Sequence, residues 1–594
     1  MCWPEGMAIE PERDRGWYGT EILAEVVDRS LHALLARATV GLSPASLFAA
    51  YLDWATHLGF SPGKRLQLGI KAARKGARYV AYAAGLALDP AADSIPCIDP
   101  LPQDNRFRSD AWKRWPFNLV YQGFLLNQQL WHNATTGVRG VTRHHERMVE
   151  FGARQILDMF SPSNCPLLNP EILERTLSSC GMNFVLGARN FVEDWERLAG
   201  GRKPVGADAF RVGANIAVTP GKVVYRNRLI ELIQYAPASE VVRPEPILIV
   251  PAWIMKYYIL DLSPGNSLVK YLVDNGFTVF MISWKNPGPD DRDLSMEDYR
   301  LLGVMAAVDT VGAIVPDRKI HSVGYCIGGT LLAISAAAMA RDGDERFSSM
   351  TLFAAQTDFT EAGELMLFID ESQLSFLEDM MWEHGYLDSA QMAGAFQLLR
   401  SNDLIWSRMA RDYLMGERAP MIDLMAWNTD ATRMPFRMHS EYLRRLFLNN
   451  ELAEGRFVAG GRPVALSDVR LPIFAVGTVK DHVAPWRSSY KIGLLTEAEL
   501  TFVLTTGGHN AGIVSEPGHQ GRSFQIMTRP AGGHYVDPEA WARAAPRKDG
   551  SWWPEWIGWL SSRSGAPQSP PEMGAPAAGL PLLGDAPGEY VRRN

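Results

Sequence analysis

The sequence predicts an α/β protein: a parallel β-sheet covered by helices on both faces, interrupted by a helical cap and preceded by an all-helical N-terminal domain. Three observations predict it. After about residue 205, short apolar runs alternate with helical segments, the pattern of strands buried on both faces. One run ends in Gly324-Tyr325-Cys326-Ile327-Gly328, with the paired glycines that a sharp strand-to-helix turn around a nucleophile requires. The chain has 594 residues, 47% of them hydrophobic and 21% charged, which is too long for one ordinary core and too apolar for disorder.

Residues 1–205 read as the helical domain. The opening "MCWPEGMAIEPERDRG" holds acidic residues and no apolar stretch, so no secretory leader is expected. "EILAEVVDRSLHALLARAT" begins an amphipathic pattern, and "PEILERTLSSCGMNFVLGARNFVEDWERLAG" closes the region at Gly200-Gly201. Between them Phe117, Val120, Tyr121, Phe124 and Trp131 recur at helical spacing. That stripe reads either as a face packed on its own domain or as a surface for a partner, a second copy or a hydrophobic product. The uncharged run 115–138 contains asparagine, glutamine, histidine and threonine and is too polar to span a bilayer.

Residues 206–562 read as the sheet-bearing catalytic domain. "PILIVPAW" (246–253), "TVFMISW" (278–284), "IHSVGY" (320–325), "MTLFAA" (350–355), "LPIFAVGTV" (471–479) and "ELTFVLTT" (499–506) are its expected strands. "NSLVKYLVDNG" and "TLLAISAAAMARDG" are among the helices between them. From about 356 to 440 no comparable strand occurs in sequence rich in Met, Phe, Leu and Trp, which predicts a cap over the catalytic face. Residues 563–594, rich in Pro, Gly and Ala, predict an extended, loosely held tail.

A formal net charge of −7 and the lack of a Lys- or Arg-rich block argue against a nucleic-acid partner. The five cysteines, Cys2, Cys97, Cys165, Cys180 and Cys326, form no C-x-x-C pair. Neither a disulfide framework nor a metal site is expected, and a reducing cytoplasm fits.

A nucleophile turn makes a demand on the rest of the chain. In the α/β-hydrolase order, an acid and then a histidine follow the nucleophile, each on a loop after a later strand. "FAVGTVKDHVAPW" supplies Asp481 and "FVLTTGGHNAGIV" supplies His509, each just past an expected strand. His482 adjoins the acid and competes as the base, while His519 in "EPGHQGRS" lies beyond the loop. The expected roles are nucleophile for Cys326, general base for His509, and for Asp481 an acid that orients the imidazole. The oxyanion donors are expected to be the backbone N–H of Ile327 and a second one near Ile254, after the strand "PILIVPAW".

Several segments together resemble the polyhydroxyalkanoate synthases, in particular the single-subunit class I type. They are "NIAVTPGKVVYRNRLIELIQY", "VPAWIMKYYILDLSPGNSLVKYLVDNGFTVFMISWKNP", "GYCIGGT", "AWNTDATRMP", "GTVKDHVAPW", "GGHNAGIVSEP" and "GSWWPEWIGWL". One departure is Met255 in "PAWIMKYY", where family members more often carry asparagine. The resemblance implies polymerisation of (R)-3-hydroxyacyl-CoA, of short chain such as 3-hydroxybutyryl-CoA, into polyester with release of CoA. It places the family's catalytic cysteine, aspartate and histidine on Cys326, Asp481 and His509. It also implies no cofactor, since CoA enters as part of the substrate. A homodimer, a cytoplasmic location on polyester granules and contact with granule-associated proteins are further implications.

The thiol suits such a reaction. A thiolate exchanges with an acyl-CoA thioester at little change in bond energy, so acyl groups load and unload nearly in balance. A free thiol titrates at about 8.5, and a histidine partner lowers that value or takes the proton in place. A cysteine hydrolase of the thioesterase or dienelactone-hydrolase kind uses the same turn, but the large helical region and the long insertion speak against it. A catalytically inactive granule-binding protein would need a broken triad, and all three residues are present.

Overall fold

The computed structural model describes residues 15–39, 41–88, 95–389, 391–392, 394, 401 and 405–593. The leader-free reading of the first residues, with Cys2, falls in 1–14, outside the described residues.

Eleven strands among the described residues form one sheet. In chain order they are β1 (Gly221–Arg226), β2 (Ile230–Tyr235), β3 (Ile247–Val250), β4 (Val279–Trp284), β5 (Ile320–Tyr325) and β6 (Phe347–Phe353), followed by β7 (Ile473–Thr478), β8 (Leu500–Thr505), β9 (Ser523–Arg529), β10 (Arg547–Asp549) and β11 (Gly584–Asp585). Their spatial order is β10-β9-β8-β7-β6-β5-β3-β4-β2-β1-β11. The six strands expected from sequence pair in parallel as its centre. They are buried on both faces because their side chains are apolar on both faces.

The flanking strands are antiparallel and carry charge, which hides them from an apolar-run reading. Glu231 in β2 is fully buried. It is compensated by Arg226 at 2.6 Å and by the N–H groups of Glu589 and Tyr590, each at 2.9 Å.

Helices cover both faces. On one side α9 (Ala306–Ile314) and α10 (Ile327–Asp342) bury Val308, Val311 and Leu332. On the other, α8 (Leu268–Asp274) and α13 (Trp553–Ser561) bury Val269, Leu272 and Trp556. The indole N–H of Trp556 donates to Thr351 at 3.1 Å, so the ring is buried with its polar atom satisfied. Removing such a side chain costs roughly 3–5 kcal/mol.

The insertion between β6 and β7 holds α11 (Glu371–His384) and α12 (Phe436–Glu441), with a short strand pair, Tyr386–Leu387 and Met434–Pro435, between them. Its helical run continues past 440 through Tyr442–Leu448, where Phe447 packs on Phe359 with ring centroids 4.7 Å apart.

The N-terminal helices are α1 (Arg15–Ala38), α2 (Pro44–Gly59), α3 (Pro62–Leu88), α4 (Phe117–Thr135), α5 (Arg143–Met159), α6 (Pro170–Ser178) and α7 (Met182–Ala199). Ser43 caps α2 and Pro44 opens it, where a missing N–H costs nothing. The α4 stripe packs within its own region: Tyr121 is buried beside Phe107 and Trp112, with Phe117 and Phe124 against them, while Trp131 is exposed.

These helices grip the insertion at two places. His32 meets Asp379 at 2.7 Å, and Arg154 meets Glu364. At the other end Asn183 donates to Leu414 O at 2.8 Å, and Arg418 reaches Asp194 at 2.9 Å. A Cβ on Gly187 would lie 1.8 Å from Tyr413 O, so glycine is what lets α7 seat there. No helix of the described residues is long and apolar enough to cross a membrane.

The tail is extended but not loosely held. Its β11 pairs with β1, the Gln234 side chain holds Glu572 O at 3.0 Å and Gly574 N at 2.8 Å, and Tyr590 and Val591 are buried. Composition could not reveal this, because the tail's partners, the β1 backbone, the Gln234 amide and the buried Glu231 carboxylate, lie elsewhere in the chain.

Candidate active site

Chain order in the sheet opens the site. The chain steps outward from β3 to β4 and then crosses back to β5, leaving a crevice at the carboxyl ends of β3 and β5. Val250 pairs with Gly324, and Gly324 with Leu352, so the end of β5 is held from both sides.

Cys326 follows at φ +53° and ψ −128°, outside the regions that side chains favour. Its N–H donates to Phe353 O at 2.8 Å. A Cβ at Gly324 would lie 2.4 Å from the Cα of Gly329, and one at Gly328 would lie 2.4 Å from Val250 O. The turn therefore depends on three glycines rather than the two in the motif.

Asp481 lies past β7 with its side chain fully buried. One carboxylate oxygen accepts from Val483 N at 2.9 Å and Ala484 N at 2.8 Å. The other accepts from the Thr478 hydroxyl at 3.2 Å and meets His509 Nδ1 at 2.7 Å. Burial resists its ionisation, but the charge and hydrogen bond of His509, with the two backbone donors, hold it below the usual carboxylate range.

His509 lies past β8. Burial opposes its protonation too, yet the Asp481 charge, the Cys326 sulfur and hydrogen bonds to both raise it well above an ordinary histidine. The structure thus brings Cys326, His509 and Asp481 into one line of interactions. Tyr325 stacks on the His509 ring, with centroids 5.7 Å apart at 24°, and donates to Asn510 at 2.5 Å.

The competing histidines stand elsewhere. His482 is half-buried in the Asp481 loop, but the imidazole that Asp481 holds is that of His509. His519 pairs with Glu516 at 2.7 Å near the surface.

Ile254 and Ile327 border the same cavity as Cys326. Ile327 is the first residue of α10, so its N–H is one of the four that the helix leaves without an internal partner. The Ile254 loop is clamped by the cap: Thr432 N donates to Ile254 O at 3.0 Å, the Thr432 hydroxyl donates to Trp253 O, and Met255 pairs with Ala431.

The cavity itself is apolar. Leu377, Met380, Tyr442, Leu443 and Phe447 of the insertion roof it, and Gly41 and Leu42 of the N-terminal region reach its wall. Gln373 fastens that wall, accepting from Ser43 N at 2.8 Å and donating to Gly41 O at 2.7 Å. Sequence reading missed Tyr325, Asn510, Tyr442 and the Gly41-Leu42 contribution. Only Tyr325 carried a local signal, as the residue before Cys326.

Comparison with known proteins agrees with this architecture. A family model described as the poly-beta-hydroxybutyrate polymerase (PhaC) N-terminus matches residues 103–272, and a second, described as poly-beta-hydroxybutyrate polymerase N terminal, matches 23–64. An α/β-hydrolase fold model matches 245–516. A poly(3-hydroxyalkanoate) polymerase of Methylorubrum extorquens is 41% identical over 89% of this chain and 87% of that protein. The polymerase subunit PhaC of Rhizobium meliloti is 38% identical over 82% of this chain and 79% of that protein. That of Cupriavidus necator is 34% identical over 82% and 83%. With an α/β-hydrolase sheet beneath a helical insertion and this likeness along most of its length, the chain belongs to the poly(3-hydroxyalkanoate) polymerase family, enzymes of the acyltransferase type that polymerise hydroxyalkanoates.

Proposed function

We propose that the chain polymerises short (R)-3-hydroxyacyl-CoA thioesters, such as 3-hydroxybutyryl-CoA, through a covalent thioester on Cys326. The observation that carries this reading is the buried 2.7 Å pair of Asp481 and His509, coupled to a cysteine that borders a capped apolar cavity.

In loading, His509 takes the Cys326 proton as the sulfur attacks the thioester carbonyl. The oxyanion is held by the N–H of Ile327, with Ile254 as the second donor. The bond to the CoA sulfur breaks, and CoA leaves as a thiol with the proton from His509. In elongation, His509 takes the proton of a 3-hydroxyl whose oxygen attacks the acyl group on Cys326. The carbon–sulfur bond breaks, an ester forms and the thiol regains its proton. Asp481 keeps the imidazole in the required tautomer and stabilises its charge, chiefly in elongation, where the weakly acidic hydroxyl must give up its proton. No cofactor enters this scheme.

The apolar roof favours elongation over hydrolysis, since it excludes water from the acyl-enzyme. Apolar side chains exposed on α2 and α7, such as Phe48, Phe191 and Trp195, support a surface for a second copy or for the polyester. The reading therefore includes a homodimer at the granule surface in the cytoplasm.

Incubation with 3-hydroxybutyryl-CoA tests the reaction. Insoluble polymer with free CoA is the expected result. Free 3-hydroxybutyrate with CoA would make the chain a thioesterase.

A further inference from the structure

The chain carries a formal net charge of −7, yet α3 holds Lys64, Arg65, Lys71, Arg74, Lys75 and Arg78 and no acidic residue along its 27 positions. These charges are spread along the helix rather than gathered in one block. Their partners within the protein are neutral: Lys64 donates to Thr136 O at 2.8 Å, Lys71 to the Asn133 side chain, Lys75 to Gln129 and Arg78 to Cys97 O at 3.0 Å. Burial first, and then the charges of Arg78 and Lys71, hold the Lys75 ammonium below the ordinary lysine value.

Lys71, Lys75 and Tyr79 bond to α4 and so mark the packed face of the helix. The opposite face is exposed and apolar. Leu66, Ile70, Ala73, Ala77, Val80 and Ala84 follow one another at steps of four and three residues, which places them in one line along the helix. Leu66 is 67% exposed, Val80 64%, and Phe60, at the turn into the helix, 85%. At 100° per residue Arg65 borders this line on one side, and Arg74 and Arg78 border it on the other. A 27-residue helix is about 40 Å long, so whatever covers the line is extended and flat.

Charge selects among the candidate covers. A second copy docked by the same face would set its Arg65, Arg74 and Arg78 against those of the first. A neutral polymer would cover the apolar line and leave the arginines without counter-charges. A nucleic acid would meet the arginines and leave the apolar line wet. An anionic lipid layer satisfies both, since apolar side chains enter the acyl boundary while arginines meet headgroup phosphates. We infer that α3 is an interfacial helix: lying flat, it docks the protein on an anionic lipid surface through Leu66, Ile70 and Val80, with Arg65, Arg74 and Arg78 on the phosphates. Such a helix lies on the membrane and does not cross it.

The test is co-sedimentation of the full chain with phosphatidylglycerol–phosphatidylcholine vesicles and with vesicles of phosphatidylcholine alone, without substrate or polyester. Attachment is expected to the first, to be at least about tenfold weaker on the second, and to be released by about 1 M salt. Changing Arg65, Arg74 and Arg78 together to Gln is expected to weaken attachment at least tenfold, because each basic residue near an anionic surface strengthens it about fivefold. Leu66→Ser with Ile70→Ser and Val80→Ser is expected to abolish it. All six positions are exposed, so the thermal midpoint should hold; Ile70→Ala alone, expected to weaken attachment, takes the place of a serine variant that does not fold. No attachment to either vesicle, equal attachment to both, indifference to salt, or full attachment by either variant overturns the inference. Self-association without vesicles that the serine variant abolishes overturns it too, and makes a second copy the occupant. Attachment needs no turnover, so this result is independent of the proposed reaction.

Discussion

Tyr325 and His509 lie face to face, their ring centroids 5.7 Å apart and their planes 24° from parallel. The residue before Cys326 thus helps to set the position of the His509 ring, the proposed base. Stacked aromatic pairs contribute about 0.5–1.5 kcal/mol beyond burial. Tyr325→Leu is therefore expected to lower the rate of CoA release about 2- to 10-fold, with a smaller change in KM. Tyr325→Phe keeps the stack, loses only the bond to Asn510 and should fall between the two. Steady-state CoA release at several substrate concentrations decides it, and a change in KM alone would remove Tyr325 from this role.

In the proposed reaction the two half-reactions should depend unequally on the Asp481 carboxylate. Cysteine loses its proton with modest help, whereas a 3-hydroxyl is far less acidic. Asp481→Asn is expected to load one acyl group and release about one equivalent of CoA, while elongation falls by roughly 10⁴-fold, the scale of losing a triad acid. Single-turnover and steady-state CoA release are compared. Equal losses in both would show that Asp481 acts as much in loading as in elongation.

Acid should destabilise the fold through two buried histidines. Burial pushes both His321 and His439 down to about 4 from the ordinary histidine value of 6.5. Between those values the unfolded chain binds more protons than the folded one, so stability falls as pH drops from about 6.5 towards 4. His321 is paired with Ser349 at 2.7 Å and Ser564 at 3.0 Å, so His321→Gln keeps polar contacts and removes the titration. The thermal midpoint of that variant should decline less over this range than that of the unmodified chain; parallel declines would count against His321.

The C-terminal tail has a measurable structural role. Removing residues 584–594 strips Glu231 of the N–H groups of Glu589 and Tyr590 and exposes the β1 edge. A buried carboxylate that loses donors costs about 1–3 kcal/mol or more. Urea unfolding is expected to show a lower midpoint in the truncated chain, and Glu231→Gln within it should recover part of the loss. An unchanged midpoint would mean that the tail docks without stabilising.

The local sequence determined the parallel centre of the sheet and the order of Cys326, Asp481 and His509, each just past a strand. Strands buried on both faces must be apolar on both faces, so the six central strands are written as continuous runs. A tight turn must carry glycine, so Gly324 and Gly328 announce Cys326 before any coordinates exist. What the tertiary structure decided is everything that depends on residues distant in sequence. Glu231 hides a strand because its compensating donors come from Glu589 and Tyr590 at the other end of the chain. The tail looks unstructured by composition because backbone pairing leaves no mark in residue type. The cavity above Cys326 is bordered by the sheet's nucleophile-type turn, the cap and Gly41-Leu42 of the N-terminal region, which meet only in the folded chain. Periodicity reports what one element buries; it carries no information on which other element buries it.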